Sequence, residues 1–148
     1  MQLTRFTDYA LRVLMYLGGQ ADRLVTIREI AEKHGLSENH LMKIVHKLAT
    51  RGYIETVRGK GGGMRLARRA EMISLGEVVR DTEENMDIAE CFAADAQSCV
   101  LLPSCALRSV LIEARKSFLA TLDLYALSDL IGRPGPSGNL GGEMTRGA

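Results

Sequence analysis

Residues 36–67 read LSENHLMKIVHKLATRGYIETVRGKGGGMRLA. Ser37 is a residue type that opens helices, because its hydroxyl accepts from a free amide of the first turn. Leu41, Ile44, Val45 and Leu48 then recur at three- and four-residue steps, so residues 38–50 are predicted as a helix with one apolar face. Gly52 ends it. Residues 53–57 alternate and are rich in β-formers, residues 58–63 are glycine-rich, and residues 64–67 alternate again. Strand, glycine turn and strand make a β-hairpin. A hairpin directly after such a helix is the wing of a winged helix-turn-helix.

Upstream, Thr26 caps a helix over residues 27–34, with Ile27, Ile30 and Ala31 inward and Glu29 placed to complete a capping box. Gly35 ends that helix, and a short turn leads to Ser37, which is the helix-turn-helix signature. Residues 3–17 are predicted as the first helix: Leu3, Phe6, Ala10, Val13, Leu14 and Leu17 share a face, and Thr4 caps it. Asp8 and Arg12 stand four apart on its polar side, an ordinary ion pair on this reading. Downstream, Ser74 caps a short helix through Arg80. A long helix is expected from about Cys105 to Tyr125. Leu107, Leu111, Ala114, Phe118, Thr121 and Tyr125 form its heptad seam, with a second apolar face at Val110, Leu119 and Leu122. One face would pack at home and the other would meet a partner. Residues 127–131 read as a last helical turn.

The fold class is therefore mainly α: a winged helix-turn-helix DNA-binding domain plus a long dimerisation helix. The expected organisation is residues 1–80 for DNA binding, 81–104 as a cysteine-containing loop, 105–131 for the dimerisation helix and its turn, and 132–148 as a disordered glycine-rich tail.

The 148-residue chain has a net charge of only +1, which hides an asymmetry. Residues 1–80 carry +6 and residues 81–148 carry −5. Residues 43–69 hold eight bases and one acid, Glu55. Charge alone fits a solvated surface, but here it coincides with a helix-turn-helix, the electrostatic footprint of a double-stranded DNA reader. On the second helix of such a motif, outward side chains reach base edges in the major groove. Ser37, Asn39, His40, Met42 and Lys43 are the candidate base contacts. Arg58 and Lys60 in the wing would reach a neighbouring minor groove, whose negative potential attracts cations. His34, at a helix C-terminus where a partly cationic imidazole is favourable, is read as structural. The glycine run is not a phosphate-binding loop, because Lys60 is followed by Gly61 rather than Ser or Thr.

The three cysteines, Cys91, Cys99 and Cys105, are spaced C-x7-C-x5-C. An odd count argues against a disulfide framework. Clustered thiols in a polar, acidic stretch favour a metal site over a core. The short C-x2–4-C pairs of zinc sites are absent, as is ferredoxin spacing. The spacing leaves zinc and an iron–sulfur cluster both open, with a fourth ligand to come from elsewhere. No membrane span is expected, since charges interrupt every apolar run, and Asp8 and Arg12 spoil a signal-peptide reading. A cytoplasmic protein is expected. No nucleophile–base pair, acid pair or cofactor loop emerges, so an enzyme is not expected.

MQLTRFTDYALR at residues 1–12, the DNA-reading stretch at 36–63, and CVLLPSCALRSVLIEARKSFLATLDLYALSDL at 99–130 together resemble the NsrR/IscR class of bacterial winged-helix regulators. Within that class they are most similar to the nitric-oxide-sensing repressors. The resemblance covers most of residues 1–131 and leaves the tail outside. It implies a homodimer paired through the long helix, binding an operator of two-fold symmetry. It implies an iron–sulfur cluster held by Cys91, Cys99 and Cys105, with 4Fe–4S favoured and 2Fe–2S as the alternative form. It makes Asp8, contributed across the dimer, the fourth ligand, and nitric oxide the signal. The first cysteine gap is longer than the family's common gap, and loops absorb added length cheaply. The rival expectations are a regulator of the same fold sensing iron–sulfur supply or redox state, and an iron–sulfur electron-transfer or metal-binding module with no DNA affinity.

Overall fold

The computed structural model describes residues 2–93, 99 and 104–132. The expected disordered tail from 133 onward and most of the stretch between Cys91 and Cys105 lie outside the described residues. Five helices and a two-stranded hairpin are built in the order α1 (Arg5–Gly18), α2 (Ile27–His34), α3 (Glu38–Thr50), β1 (Ile54–Val57), β2 (Gly63–Leu66), α4 (Leu75–Thr82) and α5 (Ala106–Asp123). Short 3-10 turns at Ala70–Met72, Glu90–Phe92 and Leu127–Asp129 complete the described residues.

The four N-cap hydroxyls anticipated from side-chain chemistry are engaged, but the expected capping box at Thr26 is only half made, because the Glu29 carboxylate is taken by Arg23 and Tyr16 instead of the Thr26 amide. The hydroxyls of Thr4, Thr26, Ser37 and Ser74 accept from the amides of Thr7, Glu29, His40 and Glu77. Gly35 closes α2 with φ of 64°, a left-handed conformation that only glycine adopts without strain. The first helix starts at Arg5, two residues later than its periodicity suggested, because Thr4 takes the cap and Leu3 lies outside it.

The apolar stripes of α1, α2 and α3 close on one another. Ala10, Val13, Leu14 and Leu17 meet Ile30 and Ala31, and Leu41, Ile44, Val45 and Leu48, all buried. Removing a side chain of this kind from water stabilises by roughly 1.5–3 kcal/mol before entropy is counted. Strands β1 and β2 pair antiparallel with Ile54 opposite Leu66 and Val57 opposite Gly63. Their inward residues, Ile54 and Met64, seal the core against α3 and α1. Val25 adds an unforeseen third rung: it exchanges both backbone hydrogen bonds with Met64, at 2.9 and 2.8 Å. The wing is thereby pinned to the turn ahead of α2.

Helix α5 differs from the others in having no buried residue. Its C-terminal end docks on α4, where a Cβ on Gly76 would strike the Asp123 carboxylate and Arg80 pairs with Asp123. Leu75 N–H donates to Tyr125 O at 3.0 Å and Leu127 N–H to Ile73 O at 2.8 Å, which ties the segment after α5 to the start of α4. Toward its N-terminus, Leu107 and Val110 are 64% and 63% exposed. No described helix is long and apolar enough to cross a membrane.

Candidate functional site

The eight bases of residues 43–69 divide into two sets of four. Arg51 pairs with Asp81 (3.3 Å), Arg65 with Glu55, Arg68 with Glu77 (3.4 Å) and Arg69 with Glu71 (3.3 Å). Arg68 is further committed to the fold. It donates to the carbonyls of Gly52 and Arg51, at 3.2 Å each, and lies 4.4 Å from the centre of the Tyr53 ring. The buried Tyr53 hydroxyl donates to Asp81 at 2.7 Å, and burial with that contact pushes its pKa up. Among the described residues, Lys43, Lys47, Arg58 and Lys60 make no ion pair. Two lie on α3 and two in the wing. Within residues 43–69, the cations without an ion pair thus lie on the two elements that a helix-turn-helix and its wing present to DNA.

On α3, Asn39 and Lys43 are exposed and Met42 is 50% exposed, while Leu41, Ile44, Val45 and Leu48 face inward. Ser37 is exposed at the helix start, with its oxygen occupied by the cap. The imidazole of His40 is turned toward α1. It stands edge-on to the Tyr9 ring at 5.5 Å, and its Nε2 is enclosed without a hydrogen-bond partner among the described residues. In the wing, Arg58 and Lys60 flank Gly59, which has φ of 99°. A Cβ on Gly62 would collide with the Val57 and Gly59 carbonyls, so this turn depends on glycine.

Helix α1 lies behind the reading head. Arg12 grips Asp8 through two nitrogens, at 3.0 and 2.9 Å, and its guanidinium sits 5.9 Å from the Tyr9 ring centre. Tyr9 in turn meets His40 on α3. Two turns on, Tyr16 stands edge-on to His34 at 5.6 Å, and its hydroxyl donates to Glu29 at 2.7 Å. Arg23 joins the same carboxylate, and together they hold Glu29 down to about 2. The expected favourable charge on His34 is not what the fold provides. Burial, then the nearby cations Arg12 and Lys33, lower its pKa, outweighing the pull of the helix end.

All three cysteines are free thiols. Cys91 is half-buried in the Glu90–Phe92 turn, Cys105 is half-buried at the N-cap of α5, and Cys99 is exposed. The segment after α4 is fastened at both sides. Glu83 accepts from Thr4 N–H at 2.8 Å and from the Thr4 hydroxyl at 3.1 Å, which ties it to the start of α1. Arg108 Nε–H donates to Cys91 O at 3.3 Å, which ties it to α5. Arg108 and Arg115 also lie over the Phe92 ring at 5.5 and 4.9 Å. Sequence reading missed Glu83, Phe92 and both arginines. Only the seven-residue step from Arg108 to Arg115, two turns on one helix face, was there to be noticed. Among the described residues no three His, Cys, Asp or Glu side chains already stand together as a metal site. Asp8 faces its Arg12 partner rather than the thiols.

A helix-turn-helix followed by a hairpin wing, with cations unpaired among the described residues on its second helix and in the wing, defines a DNA-binding transcriptional regulator of the winged helix-turn-helix type. Comparison with known proteins gives the same class. The chain belongs to the Rrf2 family, described as iron-dependent transcriptional regulators, which it matches over residues 3–133. It is 52% identical over 132 residues to the HTH-type transcriptional regulator NsrR of Geobacillus kaustophilus, covering 88% of this chain and 90% of that one. It is 49% identical, over the same shares of both chains, to the HTH-type transcriptional regulator NsrR of Bacillus subtilis. Among solved structures it resembles T. potens IscR at a TM-score of 0.71 and 25% identity, covering 88% of this chain and 85% of that one. These relatives are named as regulators, not enzymes.

Proposed function

We propose that the chain is a nitric-oxide-responsive transcriptional repressor whose operator binding is controlled by an iron–sulfur cluster. The single observation that carries this reading is the fastening of the thiol segment: one side is bonded to the start of α1 and the other to the start of α5. Its chemistry therefore bears on both the reading head and the exposed apolar helix. Resemblance to the nitric-oxide-sensing repressors, and the shared name of the relatives, supply the signal.

The donor set fits such a group, with three thiols and a half-exposed carboxylate on α1. Cys91, Cys99 and Cys105 would hold the cluster, 4Fe–4S favoured and 2Fe–2S the alternative, closing on it as it binds. Asp8 of the other protomer would be the fourth ligand. To serve there it must leave Arg12, so ligation and the Asp8–Arg12 pair exclude one another. Bound, the cluster supplies iron that reacts with nitric oxide.

The chain's own residues do the rest. Two protomers pair along α5, whose exposed Leu107 and Val110 need cover. The pair presents two copies of α3 to an operator of two-fold symmetry, with Ser37, Asn39, Met42 and Lys43 toward base edges and Arg58 and Lys60 toward the minor groove and backbone. His40, expected among the base contacts, instead supports α3 from its seat against Tyr9. Freed from ligation, Asp8 would pair with Arg12 as it does here, and Arg12 shares the Tyr9 ring with His40, so a change at Asp8 would reach α3 through α1. Half-sites about one helical turn apart tolerate little movement of α3. Residues 1–80, 81–104 and 105–131 accordingly serve as reading domain, sensing loop and dimerisation element, in a cytoplasmic protein.

Anaerobic purification with absorbance, iron and sulfide analysis tests the cluster. A gel shift with genomic fragments then compares nitric oxide, oxygen and peroxide. Release by nitric oxide is expected, and release by peroxide or cluster loss alone would favour a redox or iron–sulfur-supply regulator. Asp8→Ala should uncouple DNA release from nitric oxide; an unchanged response removes Asp8 from the mechanism.

A further inference from the structure

We propose that Arg108 and Arg115 are positioning residues for the thiol-held group: a cationic clamp, closed on Phe92, that sets Cys91 beside the start of α5 and offsets the group's negative charge. This inference rests on the cluster-binding reading above. Both arginines are half-buried on one face of α5, two turns apart. Both converge on a single ring, at 5.5 and 4.9 Å. Each also donates to a backbone carbonyl of the segment that carries Cys91, Arg108 to Cys91 O (3.3 Å) and Arg115 to Met86 O (3.4 Å).

Neither meets a carboxylate within ion-pair distance among the described residues, whereas Arg12, Arg23, Arg28, Arg51, Arg65, Arg68, Arg69 and Arg80 all do. Arg5 and Arg58 are likewise without such a pair, but both are exposed, while Arg108 and Arg115 are half-buried. Acids are nearby in sequence: Glu84, Asp87 and Glu90 are exposed, and none of them pairs with these arginines. Two partly desolvated like charges facing one aromatic ring gain a cation–π contribution but repel each other and lose hydration. An anion beside them removes that cost. The groups placed to supply it are the thiols. Cys105 lies one turn before Arg108 on α5, and Cys91 is the residue whose carbonyl Arg108 holds. Metal-ligating cysteine is thiolate, so three of them around iron and sulfide give a net negative body.

The test uses full-length protein reconstituted anaerobically with iron and sulfide. Wild type, Arg108→Ala, Arg115→Ala, Arg108→Lys and Phe92→Leu are compared for iron loss to a chelator and for reduction potential. Arg108→Ala should lose iron about 10- to 100-fold faster, as outer-shell substitutions do. Each alanine variant should have a more negative potential, because a cation that stabilised the added electron is gone. Arg108→Lys should restore the potential more fully than the retention, since it keeps the charge and loses the planar fork. Phe92→Leu should speed iron loss with little change in potential. Far-ultraviolet circular dichroism of the apo variants separates misfolding from the clamp, and the potential is a readout that loosened packing alone would not move in this pattern. Equal retention and unchanged potentials in both alanine variants, with wild type loaded, overturn the clamp alone. A wild type that takes up neither iron nor sulfide overturns the cluster reading and the clamp with it.

Discussion

Arg58 and Arg65 lie seven residues apart in the same hairpin and carry the same charge, yet the fold assigns them opposite roles. Arg65 is paired with Glu55 across the hairpin, while Arg58 has no partner among the described residues. Each phosphate neutralised contributes about −0.9 to the slope of log K against log salt. The proposed dimer, offering Lys43, Lys47, Arg58 and Lys60 twice, would have a slope of about −7 if all of them reach phosphate. Arg58→Ala removes two contacts per dimer, so the slope should shallow to about −5. At 0.1 M salt the affinity should fall by about 60-fold, taking the electrostatic contribution as vanishing at 1 M. The control is Glu55→Gln with Arg65→Gln, which removes a base and its acid together and should leave the slope unchanged. Fluorescence anisotropy of a labelled operator duplex between 50 and 300 mM salt, an assay range of about one decade or less, measures both. If the double variant shallows the slope as much as Arg58→Ala, or if Arg58→Ala does not change it, the division of the basic block into free and committed cations is wrong.

Gly62→Ala should weaken DNA binding by reshaping the wing, because the new methyl meets the Val57 and Gly59 carbonyls; the stability cost should be about 1–3 kcal/mol by thermal melts. Gly76→Ala should lower Tm by several degrees and loosen α5, since its methyl meets the Asp123 carboxylate that Arg80 holds; chemical denaturation and the dimer dissociation constant would register it, and a wild-type value for both would refute the docking argument. His34 has a folded pKa below its unfolded value, so the unfolded chain binds more protons; stability is full above about 6.5 and is lost as pH falls below it. His34→Gln should flatten that part of the profile, measured as Tm between pH 7.5 and 5. Glu29, held down to about 2, contributes stability above the ordinary carboxylate range that is lost as pH falls toward 2, so Glu29→Gln should lie below wild type at neutral pH and converge with it in acid.

What the residues alone determined is what short-range chemistry decides. Thr4, Thr26, Ser37 and Ser74 cap helices whose amides lie three residues away, and Gly35 stops α2 because its own φ is left-handed. Inward faces followed from the 3.6-residue period, and the hairpin from glycines between two alternating runs. The thiol spacing was visible too, though not what the thiols are tied to. Tertiary structure decided which charges are free. Arg51 is silenced by Asp81, Arg68 by Glu77 and Arg80 by Asp123, partners 30, 9 and 43 residues away. It also turned His40 onto Tyr9 and lowered the pKa of His34, against the local expectation of a helix end. Caps and periods are written into neighbouring residues, so they survive reading in one dimension. Ion pairing, burial and the clamp on Phe92 depend on which surfaces the packed helices bring within a few ångströms, and that is a property of the assembled core.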